Sequence, residues 1–78
     1  MKMEIFDKKI IEERRRIGQR LKQVRKAYGI TQKKLAKCIG IDQEAISKIE
    51  NGARSTGIDQ IIKICYALDA KLDFFQKE

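Results

Sequence analysis

Apolar residues recur at helical spacing along most of this 78-residue chain. Ile10, Ile17, Leu21 and Val24 fall on one stripe and predict a first helix from about Asp7 to Tyr28. Asp7 offers a side-chain cap, and Glu12 and Arg16 stand one turn apart, spaced for an ion pair. Gly18 costs the middle of such a helix about 1 kcal/mol relative to alanine. Close packing by another helix is the reason to expect it there. A break near Arg14, giving a separate N-terminal segment, is the alternative. Residues 1–6 read as a frayed end, with Ile5 and Phe6 apolar enough to dock.

Glycines punctuate the rest of the chain. Gly29 ends the first helix and Thr31 caps a second, Gln32 to Ile39, with Leu35, Ala36 and Ile39 inward. Gly40 supplies the positive φ of a sharp turn. Asp42 caps a third helix, about Gln43 to Asn51, whose inward residues are Ala45, Ile46 and Ile49, and Gly52 terminates it. A loop, Ala53 to Gly57, leads to a fourth helix, about Ile58 to Leu68, with Ile58, Ile61, Ile62, Cys65 and Leu68 as its apolar face. The absence of proline suits this reading. The chain is expected to be all-α, a bundle of four or five helices.

The tail departs from the helical period. Ala70, Leu72 and Phe74 alternate with Lys71 and Asp73, a strand pattern. A lone strand leaves its backbone unpaired, and the same strand of a second copy is the simplest partner. Leu72, Phe74 and Phe75 are therefore the expected dimerisation residues, in a two-stranded ribbon. A fifth short helix on the core is the competing reading. The domain division is residues 1–16 as an extension of the first helix, 17–68 as the helical domain itself and 69–78 as the tail.

The third helix carries the functional reading. One side is apolar, and the other offers Gln43, Glu44, Ser47 and Lys48. A short packed helix, a glycine turn and a second helix with a polar outer face form a helix-turn-helix, which presents its second helix to the DNA major groove. Charge supports a polyanionic partner. The net charge is +7, and residues 1–37 hold 13 basic and 4 acidic groups. Residues 38–78 hold 5 basic and 7 acidic groups, so the excess is confined to the first half. A solvated helix surface is the plainer account of that excess. A membrane surface fits poorly, because no basic helix has a wide leucine or aromatic face.

Other chemistry has little to stand on. Cys38 and Cys65 are too few for a disulfide scaffold and read as buried or half-buried thiols. There is no histidine and no cysteine pair with metal spacing, so no metal or cofactor is expected. Nor is there a nucleophile–base pair or phosphate loop, and the usual general base is missing, so no enzyme activity is expected. No apolar run spans a bilayer and no signal peptide opens the chain. A cytoplasmic location is the expectation.

The stretch IGQRLKQVRKAYGITQKKLAKCIGIDQEAISKIENG, followed by IDQIIKICYALDAKLDFF, resembles the Cro and CI repressor type of helix-turn-helix, the XRE family. It covers about residues 17 to 75, and ITQKKLA, ISKIENG and IIKICYAL are specific in combination. The resemblance implies a lambda-repressor-like bundle, and many members bind palindromic operators as dimers. It implies that Gln32 binds phosphate. It also implies that Arg25 pairs with Glu50, fixing the first helix to the third.

Two positions depart from the family pattern. Lys71 stands where a serine often caps a fifth helix. The tail is then similar to antitoxin repressors, some of which dimerise through a C-terminal strand. Lys34 stands where an acidic residue is common, and it cannot complete a capping box with Thr31.

Gln43 can match adenine N6 and N7, and Lys48 guanine O6 or N7. Glu44 can accept from cytosine N4 or simply favour the helix dipole. Ser47 is small enough to approach a base. Thr31, Gln32, Lys33, Asn51 and Arg54 are the expected phosphate contacts, although capping alone would explain Thr31. The reading is a DNA-binding regulator, a dimeric repressor on double-stranded DNA. The alternative is an antitoxin whose main partner is a protein toxin.

Overall fold

The computed structural model describes residues 3–53 and 55–68. Among them run four helices: α1 (Met3–Ala27), α2 (Gln32–Ile39), α3 (Gln43–Glu50) and α4 (Ile58–Ala67). The fold class is all-α as expected. Arg54, Leu72, Phe74 and Phe75 lie outside the described residues, as does Lys71. So do the ribbon and the fifth helix expected of the tail.

The helix ends follow from side-chain and glycine chemistry. Thr31 Oγ1 accepts from the Lys34 amide at 3.1 Å, and Asp42 Oδ1 from the Ala45 amide at 2.8 Å. Gly29 and Gly52 sit at φ +69° and +68°. Each closes a reversed pair of bonds, Gly29 and Ile30 donating to the Lys26 and Arg25 carbonyls, Gly52 and Ala53 to Ile49 and Lys48. A side chain is strained at such φ, so both turns demand glycine.

The core is one cluster. Leu21, Leu35, Ala36, Ile46, Ile49, Ile64 and Leu68 are buried, with Ile17, Val24, Ile30, Ile39, Ile41 and Ile61 packed around them. α1 reaches α3 at Gly18. A Cβ there would lie 2.4 Å from the Ile49 carbonyl oxygen and 2.6 Å from that of Glu50. The expected reason for a mid-helix glycine therefore holds: two backbones touch.

Several expectations are corrected. α1 is continuous, with no break near Arg14, and begins at Met3, so Asp7 lies inside it and caps nothing. Arg16 pairs with Glu13, and Glu12 approaches Lys9 instead. Ile10 is 54% exposed, because the domain body ends near Arg15, where Gly52 abuts α1. Phe6 and Ile5 are likewise about half exposed. On α4 the buried stripe is Ile64, Cys65 and Leu68, with Ile61 and Ile62 partly covered and Ile58 73% exposed. Six apolar residues make two overlapping stripes there, and packing selects the one through Ile64. Cys38 is exposed, and burial raises the pKa of the Cys65 thiol.

Gly18→Ala is expected to destabilise by about 1–3 kcal/mol through overpacking, although alanine is the better helix former by about 1 kcal/mol. A thermal midpoint unchanged or raised in circular dichroism would contradict the close approach.

Candidate nucleic-acid interface

α3 is amphipathic, and its dry side fixes which residues face out. Ala45, Ile46 and Ile49 are buried. Gln43, Glu44 and Lys48 are exposed and Ser47 is half-buried. The four residues expected to read bases thus share the face that the core leaves uncovered. Glu44 and Lys48 pair across one turn at 3.1 Å. An exposed pair at that spacing contributes about 0.3–0.5 kcal/mol, less than the 1–3 kcal/mol of a good base contact. Lys48 remains available to a base.

A buried ion pair sets the angle of that face. Arg25 donates through Nε to Glu50 Oε2 at 2.6 Å and through Nη2 to Oε1 at 3.0 Å. Its Nη1 donates to the Ile30 carbonyl at 2.7 Å, closing the turn between α1 and α2. Both side chains are nearly inaccessible, 7% and 3% exposed. This is the pair that the family resemblance implied, and it joins residues 25 positions apart.

Gln32 has a place that sequence reading missed. Its Nε2 donates to Glu50 Oε1 at 3.0 Å. The start of α2 is thereby tied to the end of α3, and the carboxylate receives three donors. No local signal announces this, since it depends on how α2 meets α3. The amide nitrogen expected to bind phosphate is thus engaged, while the Gln32 and Lys33 backbone amides begin α2 without intrahelical partners. Free amides at a helix start are suited to an anion. Thr31 and Lys33 are exposed beside them, and Asn51 is exposed at the C-cap of α3. No group of three or more His, Cys, Asp or Glu that would suit a metal occurs among the described residues. No helix among them is long and apolar enough to cross a membrane.

A capped helix, a left-handed glycine turn and a second helix held at a fixed angle with a polar face outward define a helix-turn-helix module. The helix-turn-helix family model matches residues 21–75. The chain belongs to the XRE type of that family, which makes it a DNA-binding transcriptional regulator. Among solved structures it is similar to the restriction-modification controller protein C.AhdI from Aeromonas hydrophila. Identity is 33%, over 78% of this chain and 88% of that one, with a TM-score of 0.75. It is also similar in fold to two structures of the clp gene regulator ClgR from Corynebacterium glutamicum, at 24% identity over 81% of this chain and 81% or 67% of those chains, each with a TM-score of 0.78. No curated protein matches the chain.

Glu50→Ala strands the Arg25 guanidinium in a buried site, and such a loss costs about 3–5 kcal/mol. Glu44→Ala, on the exposed pair, should shift stability by less than about 0.5 kcal/mol. Urea denaturation of the two variants is the comparison. Equal midpoints would remove the special role of the buried pair.

Proposed function

We propose that the protein is a sequence-specific repressor that binds a palindromic operator as a dimer in the cytoplasm. The observation that carries this is the outward face of α3, where Gln43, Glu44, Ser47 and Lys48 stand together over a buried apolar side. Each copy places α3 in a major groove, the two grooves being about 34 Å apart on one face of the duplex. Gln43 and Lys48 read purine edges, and Glu44 and Ser47 complete the set. Thr31, Lys33, Asn51 and Arg54, with the first amides of α2, hold phosphates and set register. The similar protein from Aeromonas hydrophila is a controller protein, which supports a regulatory role. The chain's net charge of +7 supports the polyanionic partner.

Selection from a random-sequence duplex pool, followed by footprinting on DNA flanking the gene, tests the reading. Gln43→Ala and Lys48→Ala should each cost about 1–3 kcal/mol on the selected site and relax preference at one base pair. Retained affinity and preference in both variants would move base reading off α3.

Dimerisation is assigned to the tail, through Leu72, Phe74 and Phe75. Removing residues 69–78 should give a monomer by sedimentation equilibrium. Affinity for the full palindrome should then fall by about 100-fold or more, because the second half-site is no longer tethered. A truncated chain that still sediments as a dimer would place the interface elsewhere.

A further inference from the structure

Lys8, Arg15 and Lys22 recur at seven-residue intervals, which places them on one line along α1. Gly18 and Arg25, also seven apart, form a neighbouring line about 60° round the helix. That neighbouring line faces the recognition helix, since Gly18 abuts the Ile49 and Glu50 carbonyls and Arg25 binds Glu50. From Arg15 to Lys22 the basic line therefore runs beside the C-terminal end of α3, and Lys8 continues it past the domain body. Arg15 is anchored there by its backbone: a Cβ on Gly52 would lie 2.8 Å from the Arg15 nitrogen and Cα.

Part of the charge on α1 is already paired within the helix. On the flank away from α3, Lys9 approaches Glu12 and Arg16 pairs with Glu13. On the flank beside α3, Lys8, Arg15 and Lys22 form no ion pair among the described residues. Lys8 and Arg15 are exposed, and Lys22 is half-buried, its stem able to lie on the helix while its ammonium reaches solvent. From Lys8 to Lys22 the line spans about 21 Å at 1.5 Å per residue. Glu4 stands one turn before Lys8, but basic groups outside any ion pair at this spacing, beside a helix that enters the major groove, suit a run of backbone phosphates.

We propose that Lys8, Arg15 and Lys22 form a phosphate-binding track on α1 that grips the duplex flanking the bases read by α3. The proposal rests on the DNA-binding reading of α3. It adds sequence-independent affinity and leaves base preference to Gln43, Glu44, Ser47 and Lys48.

The test uses the full chain and a 30-base-pair duplex, recovered by the wild type from a random pool, in anisotropy titrations over a series of salt concentrations. The double substitution Arg15→Gln with Lys22→Gln should lower the log–log salt slope by about 2, at about 0.9 per phosphate released, with base preference unchanged. Each single variant should lower it by about 1, so a double variant that fails to fold does not close the test. Arg15→Lys with Lys22→Arg should keep the wild-type slope, and so should Lys63→Gln on α4. Single and double glutamine variants with the wild-type slope would overturn the track while leaving the recognition helix in place. A wild type that binds duplex without salt dependence, or not at all, would remove the reading beneath it as well.

Discussion

Glu50 is a carboxylate held at 3% exposure in a small core. Removing an ion from water costs several kcal/mol, which only close geometry and full hydrogen bonding recover. Here the recovery comes from three helices at once: Arg25 of α1 on both carboxylate oxygens, Gln32 of α2 on one of them, and Glu50 itself at the end of α3. The net contribution to stability is small by that account. What the arrangement supplies is orientation, because hydrogen bonds within 3.0 Å tolerate little rotation, whereas apolar contacts slide. The recognition helix has eight residues and only three apolar side chains beneath it. Its angle to α2 needs a directional tie, and Glu50 provides one.

The glycines act on the same joint from the backbone side. Gly18 lets α1 approach the terminal carbonyls of α3, and Gly52 lets the turn after α3 meet Arg15. With side chains at both positions, α1 would ride higher and Arg25 would no longer reach Glu50 with two donors. Close backbone packing and the buried pair are thus one constraint, expressed once in small residues and once in charge.

The local rules were legible in the sequence. Thr31, Asp42, Gly29, Gly40 and Gly52 mark where helices start and stop because caps and left-handed turns are decided by a few adjacent atoms. The outward face of α3 follows from its own period, so its four polar residues could be named before the fold was known. Rotation and reach were harder. Ile10 continues the core stripe of α1 in pattern, but the body it would pack against ends one turn short. Ile64 lies outside the stripe drawn through Ile58, yet α4 turns to bury it. Asp7 has a cap's chemistry, and helix propagation from Met3 overrides it. The Arg25–Glu50 pair came from resemblance alone, since nothing local links positions so far apart. Gln32 as third donor had no signal at all.

On the proposed reading, the face that meets the bases is close to neutral, while the charge that draws DNA lies beside it. On α3, Glu44 offsets Lys48 at 3.1 Å, so the helix brings little net charge into the groove. A strongly basic recognition helix would bind any sequence through phosphate and dilute its own discrimination, because the electrostatic term carries no sequence information. With the positive excess on α1 and at the start of α2, the proposed attraction and reading fall to different surfaces of one rigid unit. The rigidity matters: separate surfaces can act on the same duplex only if their angle is fixed, and the buried carboxylate of Glu50 is what fixes it.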